Sequence, residues 1–239
     1  SGLFPKSASN LFLANSNSRY AEILLNPEAG LSSDENSPET LYTNLYEEFE
    51  NQNYGEVIEK TEAYVKQFEG HPMVPKFEIL KASAKGRLYG FDDYKAGVNY
   101  VALTYPNSEE GKQAQKIMKE SFPLFSNKTF LADDTAKHFN ILYPFDNDEN
   151  DKIEDFQKKL EEAIQTVELF ELSTSVDVYT EDITFVVVHG LNSVQGAAGF
   201  AEILEEKKLK IKRDFYSISS PNYEIIQRHK NLDQYLESQ

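Results

Sequence analysis

The segment TFVVVHGLNS, residues 184–193, has the residue types of a hydrolytic site. A buried strand that ends in His189-Gly190 resembles the way many α/β-hydrolases place the loop of an oxyanion hole. That chemistry also needs a nucleophile in a G-x-S-x-G elbow, and the sequence contains none. We therefore predict a buried strand followed by a turn glycine. A hydrolase that uses the His189-Gly190 loop stays open as a hypothesis.

The turn after this strand carries Asn192-Ser193, Gly196 and Gly199, a partial likeness to a phosphate-binding loop. It has neither the G-K-[ST] ending of a P-loop nor the G-x-G-x-x-G pattern of a dinucleotide site. Glycines here allow a tight turn and close packing of a helix on a sheet. We predict this packing role.

The acidic run Asp146–Asp151 could supply oxygen ligands for calcium. An EF-hand loop needs Gly at its sixth position and Glu at its twelfth. Counted from Asp146, these positions hold Asp151 and Gln157, so the pattern fails. Acidic and Asn residues at the start of a helix stabilise it by capping and by the helix dipole, which is the role we predict.

Metal and redox chemistry have no support in the residue pattern. The chain has no cysteine, which rules out disulfides and thiolate zinc sites. No two of its four histidines have a metal-binding spacing. These are His71, His138, His189 and His229. Because no pair of carboxylates is singled out for acid-base work either, we predict no catalytic residue, no metal ligand and no cofactor.

A basic cluster near the C-terminus stands out in an otherwise acidic chain. It consists of Lys207, Lys208, Lys210, Lys212 and Arg213. Such a patch could bind an acidic partner. Cations are also favoured at the C-terminal end of a helix, where they face solvent. Both interpretations stay open, and these residues are the candidate partner-binding site.

The chain that positions these groups is a folded and strongly acidic protein. Its 239 residues are 40% hydrophobic and include 14 Tyr and 16 Phe, which is ample for a buried core. The formal net charge of -16 argues against nucleic acid as a partner, because phosphate neutralisation needs a basic face. It argues against an anionic membrane surface for the same reason. No apolar run approaches the ~20 residues of a membrane-spanning helix.

The first half of the chain repeats a helical hairpin. Residues 40–72 predict two amphipathic helices joined at Asn53-Tyr54, and residues 75–108 predict two more joined at Asp93-Tyr94. The predicted helices are 18–26, 39–52, 54–69, 75–90, 92–105 and 109–121. Small residues where helices could approach closely are Ala82, Ala84, Gly86, Ala96 and Ala102. Stacked helix pairs are typical of tetratricopeptide (TPR) arrays, which usually hold other proteins.

The pattern changes near residue 124. Strands are predicted at 138–145, 176–179, 184–189 and 213–219, with helices at 152–169, 196–207 and from Ser220-Pro221 to about Leu236. The order β-α-β-β-α-β with an extra C-terminal helix is that of a ferredoxin-like domain, an antiparallel sheet with helices on one face. It also occurs in small peptidoglycan-binding modules of the sporulation-repeat type. The topology alone says little about activity.

We therefore predict an α + α/β chain with four segments. They are an irregular N-terminal segment at 1–17, a TPR-like helical domain at 18–123, a linker at 124–135 and a ferredoxin-like α/β domain at 136–239.

Several runs of sequence carry a family resemblance. They are SRYAEILLNPE (18–28), VPKFEILKASAKGRLYG (74–90), VALTYPNSEEGKQAQ (101–115), FVVVHGLNSVQGAAGFAEIL (185–204) and YEIIQRHKNLDQYL (223–236). Together they resemble the C-terminal region of the SprE/PorW family, the tetratricopeptide-containing lipoproteins of gliding motility and type IX protein secretion in Bacteroidota. The resemblance covers nearly the whole chain in the expected order. That family offers no catalytic residues to carry over.

The resemblance implies a periplasmic protein that is attached to a membrane by a lipid anchor in its full-length form. The lipid-bearing cysteine and the upstream repeats of the family are missing, and the chain starts with Ser1-Gly2, so we expect a fragment that does not itself insert into a membrane. The implied partners are other secretion-apparatus proteins, such as translocon, ring or motor components. The predicted function is a non-enzymatic scaffold or adaptor of this machinery, and the alternative is a peptidoglycan-binding module formed by the α/β domain.

Overall fold

The computed structural model describes residues 35–132, 136–147, 149–169, 171–205 and 211–238. This part of the chain is a mixed α/β structure, rich in helix and with a four-stranded antiparallel sheet, which confirms the predicted mixed class. It forms two compact units that divide between Asn127 and Lys128, here called the helical unit and the α/β unit. The predicted segment 1–17 and helix 18–26 lie outside the described residues.

The helical unit consists of consecutive helices with short connections. They are α1 (Pro38–Glu50), α2 (Tyr54–Gln67), α3 (Val74–Tyr89), α4 (Phe91–Thr104), α5 (Glu109–Glu120) and the short α6 (Phe122–Phe125). The five helices predicted between residues 39 and 121 are present, with ends displaced by at most two residues. Helices α1 and α5 begin at serine N-caps. The hydroxyls of Ser37 and Ser108 accept hydrogen bonds from the N–H groups of Thr40 and Gly111, respectively.

The turn between α3 and α4 lies at Gly90, three residues before the predicted joint at Asp93-Tyr94. Gly90 has φ 105°, in the left-handed region that glycine adopts without steric cost. Helix α4 therefore begins at Phe91, and Asp93 falls in its first turn, where the helix dipole favours a negative charge. The first joint lies where predicted, with Asn53 as the N-cap of α2.

Helices α3 and α4 approach each other closely through small residues. A Cβ atom added to Gly97 would lie 2.5 Å from Cβ of Ala82, and one added to Gly86 would lie 2.7 Å from Cβ of Tyr94. Ala84 and Ala102 are buried as well, whereas Ala96 is exposed and takes no part in this approach. Larger side chains would separate the two helices.

The α/β unit alternates strands and helices. Its elements are β1 (Phe139–Asp146), α7 (Asn150–Thr166), β2 (Ser173–Val178), β3 (Ile183–Leu191), α8 (Val194–Glu205), β4 (Tyr216–Ser219), α9 (Ser220–His229) and α10 (Leu232–Glu237). The strand order in the sheet is β2-β3-β1-β4, and every neighbouring pair is antiparallel. The two long strands β1 and β3 are therefore central and the two short strands are outer.

One face of the sheet packs on α7 and α8. Its core joins alternate strand residues to apolar residues of both helices. Among them are Ile141, Tyr143, Val186 and Val188 from the strands and Ile153, Leu160, Phe200 and Leu204 from the helices. The alternation of side chains along a strand produces this arrangement.

The second face is also covered, which the prediction of helices on one face did not include. The alternate residues Leu142, Phe185 and Ile218 are completely buried. Helix α9 packs on β1 and β4, and the hydroxyl of its Tyr223 donates a hydrogen bond of 2.7 Å to the carboxylate of Asp177. The prediction of one last helix to about Leu236 was wrong, because Lys230 adopts a left-handed conformation (φ 54°) and separates α9 from α10.

The segment before the sheet is attached to these last two helices. The buried side chain of Asn222 accepts a hydrogen bond from the N–H of Leu131 (2.8 Å) and donates one to its carbonyl (2.9 Å). The ring of Phe130 lies 5.2 Å from that of Tyr235. The predicted linker at 124–135 is therefore divided between the two units. Its first residues belong to α6 and to the end of the helical unit, and residues 128–132 belong to the α/β unit.

Candidate functional site

The predicted basic cluster is only partly within the described residues. Lys207, Lys208 and Lys210 lie outside them. The side chain of Lys212 is 80% exposed, with Nζ 3.4 Å from a carboxylate oxygen of Glu205. At this distance and exposure, such an ion pair contributes little to stability and leaves the lysine accessible to solvent.

Arg213 is engaged within the α/β unit. Its Nε and Nη2 atoms donate hydrogen bonds of 3.0 and 2.7 Å to the carbonyl of Pro144 in β1. Nη2 also lies 3.2 Å from Oε2 of Glu149, and the guanidinium lies 3.5 Å from the centre of the Phe145 ring. Hydrogen bonds from Lys152 and Arg213 lower the pKa of the Glu149 carboxyl. Arg213 thus ties the end of β1 to the start of α7, and its geometry differs from that of the solvent-facing Lys212.

The acidic run at 146–151 is tied to a neighbouring turn. The Asn147 side chain donates to the carbonyls of Thr180 and Glu181 and accepts a 2.6 Å hydrogen bond from the Thr184 hydroxyl. Glu149 is the N-cap residue of α7. Within the described part of the chain, no group of three or more His, Asp or Glu side chains is arranged to hold a metal ion.

The start of α8, considered above for phosphate binding, is capped from within. The Ser193 hydroxyl accepts a 2.9 Å hydrogen bond from the N–H of Gly196. An N-terminal N–H group that could have met an anion is thereby satisfied. None of the described helices is long and apolar enough to cross a bilayer.

Three polar side chains from neighbouring strands form a hydrogen-bonded row, here called the polar row. It consists of Ser175 in β2, His189 in β3 and Asn140 in β1. The Ser175 hydroxyl lies 2.8 Å from Nε2 of His189, and Nδ1 of His189 lies 3.1 Å from Oδ1 of Asn140. The Ser220 hydroxyl lies 3.4 Å from the same Asn140 oxygen. Sequence reasoning found His189 but missed both partners.

A β-bulge positions His189. Phe139 pairs with Leu191 and Ile141 with Val188, so the single residue Asn140 faces the two residues His189 and Gly190. Gly190 has φ 95°, a conformation suited to glycine in a bulge. Bulges re-direct side chains and are frequent beside functional sites. The His-Gly pair was the signal in the sequence, but the strand register that brings Asn140 and Ser175 to it was not visible there.

The electrostatics of the polar row favour a neutral imidazole. Burial lowers the pKa of His189 below its ordinary value, while the carboxylate of Asp177 acts in the opposite direction. With the Asn140 oxygen facing Nδ1 of His189, as in this structure, Nδ1 is the donor and carries the proton, because an amide oxygen only accepts hydrogen bonds. Nε2 then has a free lone pair, which accepts the hydrogen bond from the Ser175 hydroxyl.

We expect the stability of the α/β unit to depend on the protonation of His189. Its pKa is lower in the folded chain than in the unfolded chain, so the unfolded state binds the proton more readily. This part of the stability is fully present above the unfolded pKa of about 6.5 and is lost as the pH falls through the folded pKa.

The measurement is the thermal midpoint between about pH 7.5 and about pH 5.5, for the natural chain and for His189→Gln. The natural chain should lose more of its midpoint on acidification than the variant does. Equal losses would show that other groups carry the acid sensitivity.

Comparison with known proteins adds no identification. No protein-family model matches the sequence, and no curated protein matches it at a significant level.

Proposed function

We propose that this chain is a protein-binding adaptor whose helical unit is a short TPR-like array. The observation that carries the proposal is the packing of α3, which contacts not only its sequence neighbours α2 and α4 but also α1 and α5. Contacts between the first helices of successive hairpins are what stacked helical repeats require. Such arrays present extended surfaces to other proteins, and they do so without catalysis.

The last helix of this array has the character of a cap. Only Gly111 and Ala114 of α5 are buried, and its outer side carries charged and amide side chains. These are Glu109, Lys112, Gln113, Lys116 and Glu120, which line a surface depression together with Ile117 and Ser121. A polar outer face on the terminal helix keeps a repeat array soluble.

The surface we assign to partner binding is on α4. Tyr100 and Leu103 lie one helical turn apart and are 47% and 72% exposed. Aromatic and large aliphatic side chains that protrude from a rigid helix are typical anchors of protein interfaces.

We further propose that the α/β unit is a ferredoxin-like domain. The crossovers β1-α7-β2 and β3-α8-β4, combined with the strand order β2-β3-β1-β4, support this assignment. In this proposal α9 and α10 are an addition that covers the second face of the sheet.

The resemblance to the SprE/PorW family supplies the cellular setting of the proposal. In that setting the chain is part of a periplasmic lipoprotein of type IX secretion and gliding motility. Its partners are other components of the secretion apparatus, and its role is non-enzymatic. The lipid anchor belongs to the full-length protein.

The test is affinity capture of solubilised cell envelope by the immobilised chain, followed by mass spectrometry. We expect enrichment of translocon, ring or motor components, and loss of that enrichment for the variant Tyr100→Ser with Leu103→Asp. The matched control is Leu124→Asp, because Leu124 of α6 is equally exposed at 74% and lies outside α4. Capture that is unchanged by the α4 variant would contradict the assigned surface, and no capture of apparatus proteins would contradict the adaptor proposal.

Peptidoglycan binding by the α/β unit is the second candidate, and the structure favours it less. Glycan binding on the sheet would need an accessible sheet face, whereas strand residues directed to both faces are buried, such as Tyr143 and Leu142. Co-sedimentation of the full chain with purified sacculi would support this candidate over the adaptor.

A further inference from the structure

We propose that Ser175 is an activated nucleophile, an acyl-accepting site for which His189 is the base and Asn140 the orienting residue. The distances are those of a serine-base pair, with 2.8 Å between the Ser175 hydroxyl and Nε2 of His189. The 3.1 Å contact between Nδ1 and the Asn140 oxygen fixes the ring from its other side. A nucleophile, a base within hydrogen-bond distance and a third group that orients the base define this type of site on any fold.

Asn140 directs its carbonyl oxygen to His189 at a cost to its own amide. Asn140 is only 1% exposed, and its Nδ2 atom has no hydrogen-bond partner among the described residues. Buried polar atoms without partners are rare in folded proteins, and each asks for an explanation. The explanation here is that the Asn140 oxygen is held against Nδ1 as a hydrogen-bond acceptor. This contact keeps the lone pair of Nε2 directed at Ser175.

Burial also keeps the imidazole in the form that a base requires. The lowered pKa of His189 means that the ring is neutral at and above neutral pH. The Asp177 carboxylate, which favours the protonated form, would stabilise the imidazolium once it has taken the proton from Ser175. Ser175 and His189 both have intermediate exposure as residues, and the proposal requires that a reagent can reach them.

The strand contains its own control residue. Ser173 lies on β2 directly opposite His189 in the sheet register, and it is exposed. The hydrogen bond to Nε2 nevertheless comes from Ser175, two residues along the strand. Ser173 and Ser175 therefore lie on one strand and on the same side of the sheet, but they differ in their contact with His189. The hydroxyl of Ser175 is hydrogen-bonded to the imidazole.

The reaction needs an activated acyl ester as co-reactant. The Ser175 oxygen attacks the carbonyl carbon while its proton moves to Nε2 of His189. The bond from that carbon to the leaving oxygen then breaks, the imidazolium returns the proton to the leaving group, and an acyl ester remains on Ser175. The proposal is independent of the adaptor function, because that function is assigned to the helical unit.

The experiment treats the full chain with p-nitrophenyl acetate. It follows nitrophenolate release, the intact mass and the acetylated peptide. We expect acetylation of Ser175, an unchanged rate for Ser173→Ala, and a loss of at least ~10-fold for Ser175→Ala and for His189→Gln. The rate at Ser175 should rise with pH to a plateau reached below the ordinary titration range of histidine, and it should lose this pH dependence in His189→Gln.

Acetyl groups confined to lysines, equal rates at Ser173 and Ser175, or a rate that His189→Gln leaves unchanged would each overturn the proposal. Far-ultraviolet circular dichroism checks the fold of every variant. If His189→Gln does not fold, the comparison of Ser175→Ala with Ser173→Ala decides the matter.

Discussion

Replacing Gly111 with Ala should destabilise the helical unit by about 3 kcal/mol, although alanine is the better helix former by about 1 kcal/mol. Gly111 lies in the first turn of α5, where a Cβ atom would stand 1.8 Å from the carbonyl oxygen of Tyr105. The obstacle is main chain, so no side-chain rotation relieves it. Moving α5 away would also break the 3.0 Å hydrogen bond from the Gly111 N–H to Ser108, a helix cap that contributes roughly 1 kcal/mol.

The matched control is Gly55→Ala in the first turn of α2. Apart from the adjacent residues and the backbone of α2 itself, no atom of the described residues lies within 4 Å of a Cβ atom added there, so the helix propensity of alanine acts alone. We expect this variant to gain up to about 1 kcal/mol. The two substitutions are chemically identical and should have opposite signs. Urea denaturation followed by circular dichroism, with hydrogen exchange of α5 amides, measures both. A Gly111→Ala variant as stable as the natural chain would contradict the close packing of α5 on the preceding turn.

Replacing Arg213 with Ala should cost the α/β unit about 2 kcal/mol, whereas the adjacent Lys212→Ala should stay within about 0.5 kcal/mol. Arg213 is 30% exposed and provides both hydrogen bonds to the Pro144 carbonyl, the ion pair with Glu149 and the contact with the Phe145 ring. Among the described residues, Lys212 has one long ion pair, and its side chain is 80% exposed. Neighbours in the sequence thus occupy very different environments.

The denaturant midpoint of each variant tests this difference, and Arg213→Lys refines it. Lysine keeps the charge but lacks the planar pair of donors that the Pro144 carbonyl receives, so it should recover only part of the loss. Equal midpoints for Arg213→Ala and Lys212→Ala would show that the guanidinium contacts contribute nothing measurable. If the prediction holds, charge reversal at Arg213 would also destabilise the α/β unit, so that a loss of partner binding could not be distinguished from unfolding. Lys212 is therefore the better residue for testing a partner-binding patch.

Regular elements could be predicted because their information is local. The apolar stripe of α7 and the continuous apolar run of β3 each lie within one stretch of sequence. The break at Lys230 was harder, because lysine is not a residue type that marks the end of a helix, and its left-handed conformation is unusual for a residue other than glycine.

The polar row could not be predicted because it depends on register. Ser175, His189 and Asn140 lie on three strands, and a shift of one residue in either pairing would turn one of them to the other face. The bulge at Gly190 adds such a shift locally. Likewise, the contact between Arg213 and Pro144 joins residues 69 positions apart, and nothing in the basic run distinguishes Arg213 from its neighbours.

The two hydrogen bonds between Asn222 and Leu131 have a consequence for biosynthesis. They join residues 91 positions apart, so the segment at 128–132 cannot be fixed until α9 has left the ribosome. By then the whole helical unit and all four strands have been synthesised. The connection from the helical unit is therefore among the last parts of the described chain to acquire its native contacts, which gives the helical unit time to fold on its own before the α/β unit closes.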